Sequence, residues 1–251
     1  MLLRASIALT ALVPVLLLSG CGSDDSKATD SATTSPAASS SSAAAGGATT
    51  CTYPSSGAGS AGVKVSTPPA TPAVSGKVAA TMHTSIGDIG LTLDADTAPC
   101  TVNSFVSLAK QKYFDKTSCH RLTTEGIDVL QCGDPSGTGS GGPGYTFADE
   151  LDGAKALVTD KEGTSAAGET IKTYPAGTVA MANAGANTNG SQFFLVYADS
   201  PLPPNYAVFG TIDAAGVKAI IADAAAGTDN ANGQGDGHPK KPVDITSVTV
   251  G

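Results

Sequence analysis

The feature of this 251-residue sequence that most constrains its fold is a series of short strand patterns between residues 77 and 251. Two helical patterns lie near the ends of the series, one from Pro99 to about Lys112 and one at about 214–226. A parallel sheet of βαβ units would need regular alternation of strands and helices. The pattern therefore predicts a mainly β domain, an antiparallel barrel capped by helices. The strand patterns, separated by turn residues, occupy 77–84, 89–93, 119–123, 129–133, 178–183, 192–197, 207–212 and 243–250.

The segment at 22–50 cannot supply a hydrophobic core. Of its 29 residues, 21 are Ser, Ala or Thr, and none is aromatic or a long aliphatic residue. Such a segment buries too little apolar surface to offset the entropy lost on ordering. We therefore expect a disordered Ser/Ala/Thr/Pro-rich tether at 21–76 and one folded domain at 77–251, which is long enough for a sizeable core.

Residues 1–20 have the make-up of a secretory signal peptide, with one positive charge at Arg4 followed by an apolar stretch at 5–18. They run into L-S-G-C at 18–21, which resembles the lipobox of bacterial lipoproteins, where a signal peptidase cuts before an acylated cysteine. The resemblance implies lipidation of Cys21 and a protein anchored to the cell membrane, facing the extracytoplasmic side. A signal peptide without lipidation, cleaved elsewhere, is the alternative.

The charge of the chain excludes one class of partner. A net charge of −8 at pH 7 gives no basic surface for nucleic acid. A G-x-G-x-x-G match at 137–142 is followed by Pro-Gly-Tyr instead of the helix that a dinucleotide site needs. No cysteine pair has the spacing of a zinc finger. The sequence therefore predicts no nucleic-acid partner, no cofactor and no metal.

The most informative segment is M-A-N-A-G-A-N-T-N-G-S-Q-F-F at 181–194, a long Asn- and Gly-rich turn between two apolar strands. It closely resembles the signature of the cyclophilins, the peptidyl-prolyl cis–trans isomerase family. The resemblance implies a closed eight-stranded antiparallel barrel capped by two α-helices, active as a monomer and without a cofactor. Further matches to the family are C-H-R at 119–121, Q-C-G-D at 131–134, the loop at 137–145, F-A-D-E at 147–150 and V-F-G at 208–210.

The resemblance also implies a non-covalent mechanism. Rotation about an Xaa–Pro bond has a barrier of about 18–20 kcal/mol because the twisted amide loses resonance. By analogy with the family, Arg121 donates hydrogen bonds to the prolyl carbonyl and the twisted nitrogen, Gln131 orients Arg121, and Phe194 floors the proline pocket. The implied substrate-binding residues are Val129, Ala182, Asn183, Ala184, Gln192, Leu202, Tyr206, Gly139 and Thr188.

Several positions depart from the family pattern. Nine residues separate Arg121 from Gln131, two more than usual, and the simplest placement puts Asp128 where an aromatic side chain lines the pocket. Its carboxylate either points to solvent or faces the prolyl ring and pairs with Arg121. Pro201 lies where many relatives have the Trp that binds cyclosporin, so we expect weak affinity for that drug. Residues 152–173 form a loop longer than usual, for which no role is predicted.

Four cysteines remain besides Cys21. In an oxidising compartment they can form two disulfides, with three possible connectivities. Cys119 and Cys132 fall on successive strands, which favours a bond between them. The other bond would then join Cys51 to Cys100, at the end of the tether and in the first helix.

Two functions are consistent with these features. The first is a peptidyl-prolyl isomerase that acts on Xaa–Pro segments of exported polypeptides and is held at the lipid bilayer through Cys21. The alternative is a membrane-anchored module that binds proline-containing peptides, or a holdase chaperone, with little turnover.

Overall fold

The structure is a computed structural model that describes residues 49–57, 59–60, 63–157, 163–164, 168 and 170–251. The predicted signal peptide, the lipidated Cys21 and most of the Ser/Ala/Thr-rich segment lie outside the described residues. In the part of the chain that the structure describes, no helix is long and apolar enough to cross a membrane.

The fold is mainly β. In chain order the elements are β1 (Lys77–Thr84), β2 (Gly87–Asp94), α1 (Pro99–Lys110), β3 (Thr117–Ser118), β4 (Arg121–Thr123), β5 (Val129–Cys132), α2 (Asp152–Ala156), β6 (Gly163–Thr164), β7 (Thr170–Tyr174), β8 (Thr178–Met181), β9 (Phe193–Val196), β10 (Ser200–Leu202), β11 (Val208–Ile212), α3 (Ala214–Ala224), β12 (Asp236–Gly237) and β13 (Asp244–Val250). Within the described residues, ten strands form one sheet in the order β12-β4-β5-β9-β8-β11-β2-β1-β13-β3, and β10, β7 and β6 form a second.

The closed eight-stranded barrel expected from the sequence is not confirmed. The main sheet of the described ranges has ten strands and is open, with β12 at one edge and β3 at the other. One cause is that the expected strand at 119–123 is observed only as β4, which pairs with β5. The pairing with β13 is made by β3, a two-residue strand that lies before 119–123 and was not expected from the sequence. The other cause is β12, which adds an outer strand to β4 and has no strand pattern in the sequence.

The two expected helices and the eight expected strand regions are otherwise present. Helix α1 ends at Lys110 and α3 at Ala224, each two residues before the expected end. Helix α2 and strands β6, β7, β10 and β12 were not expected, because each has at most five residues and carries too few side chains to show a period.

The central strands β8 and β9 are buried at every position. Successive side chains of a strand point to opposite faces, and the two faces belong to two apolar clusters. Val179, Phe193 and Leu195 face the main core, which α1 also covers. Ala180, Phe194 and Val196 face a smaller second cluster. The sheet therefore separates the main core on one face from the second apolar cluster on the other.

The folded part of the chain begins before Lys77, within the region where composition predicts a tether. Cys51 is buried and bonded to Cys100. The Tyr53 hydroxyl donates to the Cys100 carbonyl over 2.9 Å, and the Ser60 main-chain N–H donates to Gly142 over 2.7 Å. A disulfide and main-chain hydrogen bonds hold this segment. The tether was predicted from its low content of apolar residues, and such contacts do not depend on that content.

Both expected disulfides, Cys51–Cys100 and Cys119–Cys132, are present. The second bond joins the residue two positions before Arg121 to the residue directly after Gln131. Because Arg121 and Gln131 are direct partners in the β4–β5 pair, this disulfide holds together the strands that carry both side chains.

Candidate active site

Two adjacent cavities share several lining residues, and the first lies over the second apolar cluster. The first has a volume of about 340 Å³ and the second about 520 Å³. Every site residue expected from the sequence lines at least one of them. The first cavity is lined by Arg121, Val129, Gln131, Gly139, Ala182, Asn183, Phe194, Leu202 and Tyr206, and the second adds Ala184, Thr188 and Gln192.

The first cavity has an apolar floor. Phe194 and Val129 are 5% and 2% exposed and belong to the second apolar cluster, against which Leu202 and Tyr206 pack. The rings of Phe194 and Tyr206 meet edge to face with 5.4 Å between their centroids. A small apolar ring can bury its carbon surface against such a floor. The packing of the aromatic rings fixes the shape of the floor.

The long loop at 152–173 supports this cavity through contacts with residues that line it. Its strand β7 pairs with β10, placing Lys172 opposite Leu202. Tyr174 at the end of β7 is fully buried, lies 6.4 Å from Phe194 between ring centroids, and donates to the Pro203 carbonyl over 3.1 Å. The described parts of the loop therefore support the wall of the cavity that contains Leu202.

A chain of side-chain hydrogen bonds crosses the cavity from Arg121. The guanidinium Nη1 donates to Gln131 Oε1 over 3.2 Å, and Gln131 Nε2 donates to Gln192 Oε1 over 2.9 Å. Gln192 Nε2 then donates to the carbonyls of Gly139 and Gly141. A guanidinium can only donate hydrogen bonds. The Gln131 amide must therefore turn its oxygen to Arg121 and its nitrogen to Gln192, and the Gln192 amide is oriented in the same way. The role expected for Gln131, to orient Arg121, agrees with these contacts.

Arg121 has a further partner that was not expected from the sequence. Its Nε and Nη2 atoms donate to the two carboxylate oxygens of Asp236 over 2.8 and 2.7 Å. Hydrogen bonds from Arg121 hold the pKa of the Asp236 carboxyl below its usual range. Asn232 and His238, from the same loop, also line the first cavity. Asp236 lies 115 residues from Arg121 in a polar Gly- and Asn-rich stretch, so no local pattern indicates the pair.

Asp128 does not take the position expected for a pocket wall. Its neighbours Ile127 and Val129 line the first cavity, and Asp128 does not. The Asp128 main-chain N–H donates to the Ser200 hydroxyl over 2.8 Å, and its carbonyl accepts from Tyr197. Since side chains alternate along an extended segment, Ile127 and Val129 share one face. The departure from the family spacing therefore puts an apolar side chain at the cavity, and Arg121 pairs with Asp236 instead of Asp128.

The second cavity is bordered by a free segment of main chain. Strand β8 ends at Met181, and within the described residues no hydrogen bond uses the main-chain N–H or carbonyl of Asn183. The Asn183 side chain is held by the Asn205 carbonyl at 2.9 Å, and Ala184 N–H donates to the Thr188 hydroxyl. Asn183 therefore presents unpaired main-chain groups with which a peptide could exchange hydrogen bonds. Ser56, before the expected domain boundary, lines this cavity too.

The glycine-rich loop at 137–142 is built around one buried carboxylate. Asp134 is fully buried and accepts hydrogen bonds from Ser136, Gly141 and Ser60 at 2.7–3.1 Å. A Cβ atom at Gly141 would lie 2.0 Å from Asp134 Oδ1, so the loop needs glycine there for packing. This explains the G-x-G-x-x-G string without a nucleotide. Burial alone would raise the pKa of Asp134, but the hydrogen bonds lower it to about 2.

We expect the stability of the protein to depend on Asp134 at low pH. The folded-state pKa lies below the ordinary value of 3.8, so the ionised carboxylate stabilises the fold above about pH 4 and this contribution is lost as pH falls through about 2. The contribution corresponds to about 2 kcal/mol. Urea unfolding at pH 4 and pH 2 should show a smaller change for Asp134→Asn than for the wild type. Asp152→Asn removes an exposed carboxylate and should behave as the wild type; equal changes in all three proteins would contradict the prediction.

Pro201, expected where many relatives have Trp, is exposed in β10 next to the cavity residue Leu202. Weak binding of cyclosporin stays a prediction. His120 also lines the first cavity, and burial lowers the pKa of its ring.

Comparison with known proteins places these features in a family. Residues 79–250 match the sequence model of the family described as cyclophilin type peptidyl-prolyl cis-trans isomerase/CLD. The chain is 52% identical over 188 residues to the "Probable peptidyl-prolyl cis-trans isomerase B" of Mycobacterium tuberculosis, which covers 74% of this chain and 57% of the relative. It is 49% identical over 191 residues to the protein of the same name from Mycobacterium leprae, covering 74% and 59%. The matched region thus spans under two thirds of these relatives.

A shorter relative and a solved structure extend the comparison. The "Peptidyl-prolyl cis-trans isomerase A" of Mycobacterium tuberculosis is 37% identical over 188 residues, covering 68% of this chain and 91% of the relative. The crystal structure of a cyclophilin type peptidyl-prolyl cis-trans isomerase from Cryptosporidium parvum superposes with a TM-score of 0.54 at 24% identity, covering 70% of this chain and 98% of that one. The similarity to the Cryptosporidium parvum structure concerns the fold alone.

Proposed function

The chain belongs to the cyclophilin-type peptidyl-prolyl cis-trans isomerase family, and from that premise we propose that it accelerates rotation about Xaa–Pro bonds in exported polypeptides. The observation that carries the proposal is a guanidinium at the rim of an apolar cavity, with Phe194 at the floor and Gln131 holding Arg121. The reaction makes and breaks no covalent bond. It therefore requires selective stabilisation of the twisted amide and needs no nucleophile.

The apolar cavity is suited to hold the prolyl ring. Ile127, Val129, Phe194 and Leu202 present carbon surface, and removing a ring from water against such surface is favourable in both the cis and the trans state. Binding of this kind is uniform and does not by itself accelerate rotation. Its contribution is to fix the ring while the acyl side of the bond turns.

Arg121 supplies the part of binding that favours the transition state. When the prolyl amide twists, its nitrogen loses conjugation and becomes a hydrogen-bond acceptor. A donor that is already oriented stabilises this state without reorganisation during the reaction. The hydrogen bond from Arg121 to Gln131 restricts the orientation of the guanidinium.

Residues on the amino-terminal side of the proline would lie in the second cavity. There the unpaired main chain of Asn183 can exchange hydrogen bonds with an extended peptide, flanked by Ala182 and Ala184. Gly139 and Thr188 border the space for the preceding side chain.

The proposal is tested by exchange spectroscopy on the full chain with a short Xaa–Pro peptide. In nuclear magnetic resonance exchange spectra, a catalytic amount of the protein should produce cis–trans cross-peaks, whereas the uncatalysed process takes tens of seconds or longer. Peptide signals that shift on binding without faster exchange would instead support the alternative, a membrane-anchored proline-peptide-binding module or holdase.

We expect Ile127→Ala and Asp128→Ala to separate the two faces of the segment before β5. Ile127→Ala removes carbon surface from the cavity and should raise KM by about 10-fold, since truncating a buried aliphatic contact costs about 1–3 kcal/mol in binding. Asp128→Ala should leave kcat/KM within about twofold, because its side chain does not line the cavity. The kinetic constants are measured by the same exchange experiment. A large effect of Asp128→Ala with none of Ile127→Ala would contradict the assignment of the faces.

We also propose lipid anchoring and a closed sheet. The L-S-G-C sequence at 18–21 and the Ser/Ala/Thr-rich tether support an acyl anchor on Cys21 that keeps the domain on the extracytoplasmic side of the cell membrane. Strands β3 and β4 are separated by two residues and pair with β13 and β5 respectively. This supports treating 117–123 as one strand that closes an eight-stranded barrel, with β12 outside it. Both cavities draw on one chain, which supports a monomer.

A further inference from the structure

The loop at 228–239, called here the Asp236 loop, adds a wall to the first cavity that the proposed mechanism does not require. Its strand β12 pairs with β4 so that Asp236 lies opposite Thr123 and Gly237 opposite Leu122. Asn232 and His238 line the cavity on either side of this strand. The loop therefore reaches the site from the edge of the sheet that carries Arg121.

The contact between the loop and Arg121 is a two-point ion pair. Two parallel hydrogen bonds join Nε and Nη2 to Oδ1 and Oδ2, and the side chains are only 32% and 26% exposed. This geometry fixes the plane of the guanidinium as well as its position. A single bond to Gln131 would leave rotation about that bond free.

The pair does not use up the donors of Arg121. A guanidinium has five N–H donors. Asp236 accepts two and Gln131 accepts one, which leaves two for a substrate. The contact therefore differs from one that blocks the site, because Arg121 can bind Asp236 and a prolyl amide at the same time.

The Asp236 loop is itself held in place. Asn232 Nδ2 donates to Asp236 Oδ1 over 3.1 Å, and the Asp236 main-chain N–H donates to Gly233. Asp229 Oδ1 accepts from the main-chain N–H groups of Ala231 and His238 at 3.0 and 2.8 Å. A Cβ at Gly237 would lie 2.0 Å from Asp229 Oδ1. These contacts give the Asp236 carboxylate a fixed position from which it can orient another group.

We infer that Asp236 is a positioning residue, which holds the Arg121 guanidinium in the orientation that favours the twisted prolyl amide. The inference rests on the proposed isomerase function. A positioning role and a simple charge effect predict opposite changes in rate when Asp236 is removed. If Asp236 only neutralised Arg121, its removal would strengthen the field at the amide and accelerate the reaction. If it positions Arg121, its removal slows the reaction.

The test compares Asp236→Asn with a remote variant that makes the same change in charge. Asp236→Asn keeps the size of the side chain but cannot accept from both Nε and Nη2, and it should lower kcat by about 10-fold with little change in KM. Asp152→Asn changes an exposed carboxylate on α2 and should retain kcat within about twofold. Both are measured by exchange spectroscopy with the full chain.

A spectroscopic signal tests the contact directly. Arg4 and Arg121 are the two arginines of the sequence, so ¹⁵N-arginine labelling gives two Nε signals, and Arg121→Lys identifies that of Arg121. The Arg121 signal should show slow hydrogen exchange in the wild type, and exchange should become faster in Asp236→Asn but not in Asp152→Asn. Asp236→Glu keeps the charge but displaces the carboxylate by one methylene, so positioning predicts a lower kcat for it too.

The outcomes separate the inference from the proposed function. An active wild type with an unchanged or higher kcat in both Asp236→Asn and Asp236→Glu overturns the positioning role and leaves the isomerase function intact. A wild type without isomerase activity overturns the proposed function, whereas the exchange of the Arg121 Nε proton would still report whether Asp236 holds the guanidinium. If Asp236→Asn does not fold, Asp236→Glu and the wild-type Nε signal decide.

Discussion

Arg121→Ala is expected to reduce kcat/KM for isomerisation of a short Xaa–Pro peptide by about 10²–10³-fold, the usual cost of removing one preorganised donor to a transition state. The loss should appear in kcat, because the guanidinium meets its strongest acceptor only when the prolyl amide is twisted. Peptide affinity should change less, since the apolar cavity with Phe194 and Val129 and the main chain of Asn183 remain. The rates are measured by exchange spectroscopy at several peptide concentrations.

Two further variants make this result specific to Arg121. Arg121→Lys keeps the charge but cannot form the two-point contact with Asp236 and the bond to Gln131 together, so its activity should lie between those of the wild type and Arg121→Ala. Lys218→Ala removes one positive charge from an exposed position on α3 and should be as active as the wild type. Equal rates for the wild type and Arg121→Ala that both exceed the uncatalysed rate would refute the role of Arg121. Equal rates that do not exceed it would refute the isomerase function and favour the peptide-binding module.

The residues that could be placed from the sequence are those within continuous motifs. The segment at 181–194 carries Asn183, Thr188, Gln192 and Phe194 at fixed spacing, and its two flanking strands are hydrogen-bonded neighbours in the structure. Once β8 and β9 pair, the period of two along each strand assigns Phe194 to the outer cluster and Phe193 to the core. The resemblance of this continuous segment to the cyclophilin signature was therefore sufficient to assign Phe194 to the cavity floor.

Residues whose roles depend on distant contacts could not be found in this way. Asp236 and Arg121 are 115 residues apart, and Asp236 stands among Gly, Asn and Gln residues typical of an exposed loop. The same holds for Ser56 and Ser60, which reach the second cavity and Asp134 only because a disulfide and main-chain bonds hold them there. Ile127 was missed for a different reason. The two additional residues before Gln131 left the alignment of this segment with the family open, and the pairing of β5 with β9 fixes the register of the strand.

The contacts within continuous motifs and the contacts between distant residues have different roles in the site. The motif residues shape the apolar cavity, which binds proline in either isomer, whereas the distant contacts orient Arg121 and fix the glycine-rich loop. Binding that is equal in both isomers does not accelerate their exchange. Asp236, which the sequence did not reveal, is thus expected to affect kcat more than KM, whereas Ile127, which lines the apolar cavity, is expected to affect KM.

Removal of the Cys51–Cys100 disulfide is expected to give the largest loss of stability. The bond closes a loop with a sequence separation of 49 residues, and the chain-entropy model gives about 4 kcal/mol for a loop of this length. The double variant Cys51→Ala/Cys100→Ala should therefore unfold at a temperature roughly 10 °C lower, measured by calorimetry or circular dichroism. Alanine is the better replacement because Cys51 is buried and a serine hydroxyl there would need a partner.

The second disulfide supplies the matched control. Cys119–Cys132 closes a loop with a separation of 13 residues, for which the same model gives about 3 kcal/mol. Its loss should lower stability less but kcat more, because it joins the strands that carry Arg121 and Gln131. The Cys51–Cys100 variant should keep its kcat at temperatures where it is folded, since neither cysteine lines a cavity. A variant without Cys51–Cys100 that is as stable as the wild type would show that the segment before Lys77 contributes little to the fold, and would return the domain boundary to the position indicated by composition.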